Sequence, residues 1–142
     1  MILYTSGTTG DPKGVMLSHA NIYANVIGFN AILDLSEKET FVCTLPLFHV
    51  FAMTIVLFGS MHVGARVLLF PHFQPQKVLE TFMHETNVLY IGVPPMLMML
   101  ARFAPKDAAE THRLKYVVSG GGPLPLDVVA LFKERVGYEI LE

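Results

Sequence analysis

A short glycine-rich stretch near the start of the chain carries residue types suited to binding phosphate. The ten residues from Thr5 to Gly14 include four hydroxyl side chains, three glycines and one lysine. Glycines let a backbone approach a ligand closely, and successive N–H groups can then form a concavity that binds anions. Hydroxyls donate to phosphate oxygens without adding charge, while Lys13 supplies a mobile positive charge. This composition predicts a phosphate-binding loop.

The spacing within this loop does not fit the two common nucleotide-binding templates. A Walker A loop places lysine directly after a glycine and before Ser or Thr, whereas Lys13 lies three residues beyond Gly10 and precedes Gly14. A dinucleotide fingerprint is absent as well, since the loop contains no Gly-x-Gly-x-x-Gly. The plain alternative is a polar surface turn, because the same residue types are common in turns.

Two further clusters combine polar or flexible residues with chain-turning ones. His49 lies in Pro46–Phe51, between an apolar strand and an apolar helix, and Gly120–Gly122 precedes Pro123. Taken alone, His49 is interpreted as a hydrogen-bonded cap of the helix, and the glycines as a turn between strand and helix. A flat backbone without Cβ atoms is also a surface on which a planar ring or an acyl chain can lie.

Strands and helices are predicted to alternate along the chain. The predicted strands are 2–5, 41–45, 66–70, 88–92, 115–119 and 138–141, and the predicted helices follow Ser18, His49, Gln74, Val93 and Pro125. The strands are too uniformly apolar to face water, the first one included. This pattern is typical of an α/β fold with a doubly wound, mostly parallel sheet and helices on both faces.

The predicted strands place the chemical clusters together. In open parallel sheets, ligands bind beyond the carboxyl ends of the strands. The glycine-rich loop, Pro46–His49, Pro94 and Gly120–Gly122 each follow a predicted strand. We therefore expect all of them to converge on one edge of the sheet.

Local patterns predict how two of the helices begin and pack. Ser18 is a suitable N-cap for the first helix. The helix opened by Pro94-Pro95 is expected to bury one apolar face, made by Met96, Leu97, Met99, Leu100 and Phe103. A less favoured interpretation is that the methionines of this helix form the deformable wall of a pocket for an aliphatic chain.

The composition limits the class of protein. With 142 residues, the chain is long enough for a single α/β domain covering 1–142. Hydrophobic residues make up 52% and charged residues only 15%, so we expect exposed apolar surface and self-association through it. A net charge of −2 and the lack of a basic cluster argue against nucleic acid as a partner. The single cysteine, Cys43, excludes an internal disulfide.

Membrane and metal signals are weak in this sequence. The longest apolar run, 50–59, is too short to span a bilayer, and no basic region precedes the first apolar residues as in a signal peptide. The histidines lack metal-ligand spacing, so no metal site is predicted. The sequence predicts a cytoplasmic protein, with peripheral attachment to a membrane left open.

The stretch from Ile2 to Val15, ILYTSGTTGDPKGV, resembles the phosphate-binding motif of the AMP-forming adenylating enzymes. This superfamily includes acyl- and aryl-CoA synthetases, luciferases and the adenylation domains of peptide synthetases. The resemblance implies that the loop holds the β- and γ-phosphates of ATP. The residues to which it assigns this role are Thr5, Ser6, Gly7, Thr8, Thr9, Gly10 and Lys13.

Two other segments are similar to the same superfamily. Pro46–Phe51 resembles a segment that lines the acyl pocket of acyl- and aryl-CoA synthetases, which implies that His49 positions the substrate carboxylate. Gly120–Pro125 resembles a Ser-Gly-Gly-Ala-Pro-Leu segment that walls the adenine and acyl sites, and it assigns Gly120, Gly121 and Gly122 to that wall. Gly122 stands where alanine is commoner, which is expected to widen the pocket slightly. The resemblance favours an acyl-CoA synthetase of the long-chain fatty-acid–CoA ligase type.

The resemblance implies ATP-dependent activation of a carboxylic acid, with a fatty acid favoured, to an acyl-adenylate and then to acyl-CoA. ATP, Mg²⁺ and CoA would take part. The match covers only part of the family's large N-terminal domain, so no catalytic residue is assigned and the chain is expected to be inactive alone. Two alternatives stay open: an aryl- or amino-acid-adenylating enzyme, and a nonenzymatic α/β interaction module whose glycine-rich loop is only a turn.

Overall fold

The computed structural model describes residues 1–5, 10–105 and 112–142. The strands are β1 (Ile2–Tyr4), β2 (Gly14–Met16), β3 (Thr40–Cys43), β4 (Arg66–Leu69), β5 (Val88–Gly92), β6 (Leu114–Ser119) and β7 (Ile140–Leu141). The helices are α1 (His19–Ile32), α2 (Val50–Ala52, then a π-helix over Met53–Phe58, then Gly59–Val63), α3 (Pro75–His84), α4 (Pro94–Phe103) and α5 (Leu126–Val136).

The main sheet is parallel, with the strand order β4-β3-β5-β6-β7. Alternate residues of each strand point to opposite faces. On one face Phe41 and Leu89 belong to the core that contains Val56 of α2. On the other face Val42 packs with Phe82 of α3 and with residues of α4 and α5. The prediction of a doubly wound parallel sheet with helices on both faces is confirmed.

The first strand differs from its prediction. β1 pairs antiparallel with β2 in a separate hairpin, with Ile2 opposite Met16 and Tyr4 opposite Gly14. Ile2 is 58% exposed and Tyr4 is 73% exposed. The prediction of a buried strand in the parallel sheet is wrong, because a three-residue strand paired only with its own hairpin partner receives no covering layer.

Several predicted helix ends are confirmed. Ser18 caps α1: its Oγ accepts a hydrogen bond from Asn21 N at 3.1 Å, and Asn21 Oδ1 accepts one from Ser18 N at 3.0 Å. Pro75 and Pro94 begin α3 and α4, where a missing N–H costs nothing. Gly64, with φ +74°, ends α2 in the left-handed conformation that glycine adopts readily.

The buried face of α4 is only partly the predicted one. Leu97 and Leu100 are fully buried, but Met99 is 41% exposed and Phe103 is 50% exposed. Nearly every position of this helix is apolar, so its sequence pattern does not determine which face is buried. Here the buried stripe runs through Leu97, Leu100 and Ala101, so Met99 and Phe103 lie away from it.

The connections after β3 and β5 leave the sheet in opposite directions. β3 leads into α2 on one face, whereas its neighbour β5 leads into α4 on the other face. Such a topological switch point opens a crevice at the carboxyl ends of the two strands. The fold therefore presents its main binding opportunity beside the loops that begin at Thr44 and Val93.

Candidate functional site

Three of the predicted clusters meet at the carboxyl edge of the sheet. The loops after β3, β5 and β6 begin there. Gly120 N donates to Gly92 O at 3.2 Å, which extends the pairing of β6 with β5 by one residue beyond Ser119. The glycine-rich loop does not follow a strand of this sheet, since it joins β1 to β2 in the hairpin. The predicted convergence holds for the three sheet loops, and the hairpin approaches them from outside the sheet.

His49 is the N-cap residue of α2. Its Nδ1 accepts a hydrogen bond from Phe51 N at 3.3 Å, and its own N–H donates to Pro46 O at 3.0 Å. The plain interpretation of His49 as a helix cap is therefore confirmed. Because Nδ1 acts as the acceptor, a neutral ring carries its proton on Nε2. The exposed ring thus keeps one N–H donor for a ligand.

One cleft lies between the hairpin and the loop that carries His49. It has a volume of about 570 Å³, and its lining includes Thr5, Leu17, Phe48, His49 and Val50. Phe48 is 84% exposed, so the rim of this cleft is apolar. The structure thus brings Thr5, at the base of the glycine-rich loop, to the same cleft as His49.

A second cleft continues from the first between α1 and α2. It has a volume of about 480 Å³ and shares Leu17, His49 and Val50 with the first cleft. Asn25 of α1 and Thr54 of α2 add polar groups to its lining. Gly121, after β6, also lines this second cleft. We call the two connected clefts, from Thr5 through His49 to Gly121, the edge groove.

The three glycines after β6 have different surroundings. A Cβ on Gly120 would lie 2.6 Å from Phe51 Cζ, so the aromatic ring rests directly on this backbone. Gly121 has φ +81°, a conformation that other residues rarely adopt. A Cβ on Gly122 would meet no heavy atom of the described residues within 4 Å. Gly120 and Gly121 are thus required by local geometry, whereas Gly122 borders open space.

The glycine-rich loop is closed at its base. Thr5 N donates to Lys13 O at 3.0 Å, and Thr5 Oγ1 donates to the same oxygen at 3.4 Å. Gly10 and Lys13 are exposed. Ser6, Gly7, Thr8 and Thr9, four of the predicted phosphate-binding residues, lie outside the described residues.

Two buried titratable groups lie behind the loop that carries His49, and burial keeps both in their neutral form. Burial raises the pKa of Tyr90 far above its ordinary value, and the hydrogen bond between its hydroxyl and that of Thr44 opposes this rise. Burial also raises the pKa of the Cys43 thiol. Neither group is suited to act as a nucleophile or base at neutral pH. Within residues 1–5, 10–105 and 112–142, no three His, Cys, Asp or Glu side chains are grouped to hold a metal ion.

The sequence did not single out Asn25 or Thr54, which line the edge groove. Their contact with the groove depends on the packing of α1 against α2, which pairs residues about thirty positions apart. Thr54 is the only hydroxyl residue between Val50 and Gly59. A lone hydroxyl in an apolar helix is a usable signal for a residue that faces a polar space.

No helix in the described part of the chain is long and apolar enough to cross a membrane.

The whole chain matches a known protein family. The family model described as AMP-binding enzyme matches residues 1–142. A feruloyl-CoA synthase of an Amycolatopsis species is 33% identical over 135 residues, which is 95% of this chain and 28% of the relative. A long-chain-fatty-acid–CoA ligase of Mycobacterium tuberculosis is 31% identical over 149 residues, covering 99% of this chain and 29% of the ligase. The chain thus spans less than a third of the length of these relatives.

Solved structures share the fold. MatB from Rhodopseudomonas palustris, crystallised without ligand, superimposes with a TM-score of 0.89 at 27% identity, over 98% of this chain and 27% of MatB. O-succinylbenzoate coenzyme A synthetase (MenE) from Bacillus subtilis, in complex with ATP and magnesium, gives a TM-score of 0.81 at 30% identity, over 98% and 28% of the two chains. The parallel sheet and its flanking helices are therefore those of these enzymes.

Proposed function

Because this chain belongs to the AMP-binding enzyme family, we propose that it forms part of an enzyme that activates a carboxylic acid with ATP and passes the acyl group to CoA. The observation that supports this proposal is the edge groove, which connects Thr5 at the base of the glycine-rich loop with His49 and Gly121. Such a groove can hold a phosphate chain at one end and an acid at the other.

In this proposal the glycine-rich loop binds the outer phosphates of ATP. The hydrogen bonds from Thr5 to Lys13 O fix the base of the loop and hold the Lys13 backbone beside Thr5, which lines the cleft. Fixed N–H, hydroxyl and ammonium donors stabilise charge that shifts on the phosphates in the transition state. Mg²⁺ bound with ATP would share this neutralisation. We assign no residue of this chain to the ion, because the described residues offer no carboxylate cluster for it.

His49 would position the acid. Its Nε2–H is available to donate to a substrate carboxylate, since Nδ1 already accepts from Phe51 N. A carboxylate oxygen then attacks the α-phosphorus of ATP, the bond to pyrophosphate breaks, and an acyl-adenylate forms. In the second step the CoA sulfur attacks the acyl carbon and AMP leaves. His49 orients the nucleophile in the first step and takes no proton.

We propose a fatty acid as the substrate class. The second cleft is lined mainly by apolar side chains, among them Ile22, Val50 and Ile55, and a long-chain-fatty-acid–CoA ligase is among the relatives. An aryl acid is the second candidate, because Asn25 and Thr54 provide polar groups in the same lining and a relative of similar identity is a feruloyl-CoA synthase. Turnover of a panel of alkyl and hydroxyaryl acids distinguishes the two.

The test uses the intact enzyme that contains this chain. Lys13→Ala should slow acid-dependent release of pyrophosphate by the loss of one charge-assisted contact, about 1.5–3 kcal/mol. Thiolysis of added acyl-adenylate should not change, because pyrophosphate has already left. Lys77→Ala, an exposed lysine on α3, is the matched control and should affect neither step. Equal losses in both half-reactions of Lys13→Ala would contradict the assignment of the loop.

Three other expectations remain predictions. The isolated 142-residue chain should release no pyrophosphate with ATP, Mg²⁺ and fatty acids. Light scattering of the same sample should show self-association, which exposed apolar side chains such as Met16, Ile32 and Leu126 favour. A cytoplasmic location, with or without peripheral attachment to a membrane, is checked by fractionation of cells that express the intact protein.

A further inference from the structure

The side chain of Tyr90 lies at the switch point between β3 and β5. Its ring is fully buried, and its hydroxyl lies 3.1 Å from Thr44 Oγ1. Thr44 is the first residue after β3 and begins the loop that leads to His49. Met96 Sδ, in the first turn of α4, lies 3.7 Å from Thr44 Oγ1 and 3.9 Å from the Tyr90 hydroxyl. The loop after β3, the strand β5 and the first turn of α4 thus contact one another at the Tyr90 hydroxyl.

The space for this contact depends on Gly92. Residues two apart in a strand share a face, so residue 92 lies directly beside Tyr90. A Cβ on Gly92 would be 2.9 Å from Tyr90 Cε1 and 3.2 Å from its hydroxyl oxygen. Only glycine leaves room for the ring in this position. The local sequence therefore accommodates a buried tyrosine whose polar end reaches the base of the His49 loop.

The other side-chain contact near the start of the loop is weak: the Cys43 thiol donates to Leu45 O at 3.3 Å. The hydrogen bonds of β3 end at Cys43, whose carbonyl oxygen accepts from Phe70 N at 2.9 Å. Thr44 itself is only 7% exposed, so its hydroxyl has little access to water. Two buried hydroxyls that bond to each other are satisfied, and removing one leaves the other with only the weak acceptor Met96 Sδ. The contact with Tyr90 therefore holds the first residue of the loop in place.

We infer that Tyr90 is a positioning residue for the proposed reaction: its hydroxyl fixes Thr44 and, through the short loop that follows, the place of His49 in the edge groove. The inference rests on the proposed function. It differs from a role in the core, because the edge contact between the rings of Phe82 and Tyr90, with centroids 5.3 Å apart, does not involve the hydroxyl. Tyr90→Phe keeps the ring contact and removes only the hydrogen bond.

The first measurement does not depend on catalysis. Hydrogen exchange of the intact protein should be several-fold faster at the amides of 47–51 in Tyr90→Phe than in the wild type. Val78→Ala is the control, since Val78 is fully buried in α3 and its truncation lowers stability without touching the contact with Thr44. Unchanged exchange in Tyr90→Phe, or equally accelerated exchange at 47–51 in Val78→Ala, would overturn the inference.

The second measurement is kinetic. Loss of one neutral hydrogen bond should raise KM for the acid about fivefold in Tyr90→Phe and in Thr44→Val, with KM for ATP unchanged. The double variant should match either single one, because both remove the same bond. Thr44→Ser, which keeps a hydroxyl, should restore wild-type behaviour. A comparable rise of KM for the acid in Val78→Ala would show a general loss of stability instead.

The two measurements separate the two claims. An intact wild-type protein that releases no pyrophosphate with any acid would overturn the proposed function. The exchange rates at 47–51 would still decide whether Tyr90 holds the loop.

Discussion

The two edges of the parallel sheet are built from different kinds of residue. At the amino edge, charged side chains join residues beside the first positions of the strands: Glu39 with Lys115, Arg66 with Glu85, and Glu139 with Lys133 of α5. At the carboxyl edge the loops contain glycine, proline and exposed apolar residues, and none of the ion pairs among the described residues lies there. Ion pairs between side chains therefore link the strands at the amino edge, whereas the backbone and the clefts at the carboxyl edge are accessible to a ligand.

Glu39 shows how the amino edge is held. Its carboxylate is 3% exposed and accepts hydrogen bonds from Ser36 N, Ser36 Oγ and Lys115 Nζ. Burial by itself would raise the pKa of Glu39, but the bonds from Lys115 and Ser36 lower it below its ordinary value. Lys115 also donates to Asp34 O at 3.0 Å. The starts of β3 and β6 are thus tied together, so the opposite edge can carry open loops without losing strand order.

The largest expected effect comes from breaking this link. Lys115→Met should lower the free energy of unfolding by about 3 kcal/mol, because Glu39 would be buried without its charged partner. Urea denaturation of the chain measures it. Lys133→Met is the matched control: both partners of that pair are 63% exposed, so the cost should stay below about 1 kcal/mol. Similar losses in both variants would contradict the distinction between a buried and an exposed pair.

Acid should also act first on the amino edge, where Glu39 precedes β3 and the buried His112 precedes β6. Burial lowers the pKa of His112 below its ordinary value near 6.5, so stability falls as the pH drops below about 6.5, where the unfolded chain binds the proton more readily. The pKa of Glu39 is lowered from about 4.5, so its contribution is complete above that pH and is lost as the pH falls further.

Urea unfolding between pH 4 and pH 8 checks this dependence. His112→Leu should flatten the decline that begins below about pH 6.5, and Lys115→Met should weaken the decline below about pH 4.5. A wild-type stability that rises on acidification through either region would contradict the assignment for that group.

At the carboxyl edge, Gly120→Ala should have a moderate effect. The added Cβ would overlap the Phe51 ring at 2.6 Å, and overpacking of this kind costs about 1–3 kcal/mol. Part of the strain is relieved if the ring turns into the edge groove, so acid binding should weaken more than ATP binding. Comparison of the two dissociation constants in the intact enzyme measures this, and unchanged acid binding would contradict the packing of Phe51 on Gly120.

Gly122→Ala should have the smallest effect. With no described heavy atom within 4 Å of the new Cβ, the unfolding free energy should stay within about 0.5 kcal/mol of the wild type. Acid binding should be unchanged too. If Gly122→Ala weakened acid binding as much as Gly120→Ala does, residue 122 would have to touch the bound acid. The expectation that Gly122 widens the pocket requires such a contact.

Much of the fold follows from local sequence signals. The predicted bounds of β5, 88–92, and the predicted start of α5 directly after Pro125 coincide with the observed ones. Both segments are delimited by residues with strong conformational preferences: Pro94 follows β5 closely, Pro125 precedes α5 and Gly137 ends it. Apolar strands alternating with helices then leave a parallel sheet as the only economical arrangement.

The remainder depends on contacts that a local pattern does not contain. β2 was not predicted, because three residues are too few to show a period and their pairing with β1 spans a glycine-rich loop. The elements packed against α4, and not its own sequence, decide which of its apolar residues are buried. The groove positions of Asn25 and Thr54 depend on how α1 and α2 meet. The roles of Thr5, Lys13 and His49 in catalysis remain predictions.

The π-helical segment of α2 has a consequence for how this site can change. Within Met53–Phe58 one turn holds an extra residue, and Gly59 N donates to Thr54 O five positions earlier. Phe51, Thr54 and Ile55 in the first part of α2 line the groove. Further along the same helix, Gly59 O accepts from Asn30 Nδ2 of α1 at 3.0 Å. Deleting one residue here would rotate one half of the helix by about 100° relative to the other. The residues that line the groove and the contact with Asn30 are therefore on the same helix but on different sides of the extra residue. A one-residue insertion or deletion between them would change the direction in which the groove residues point while the contact with Asn30 stays in place.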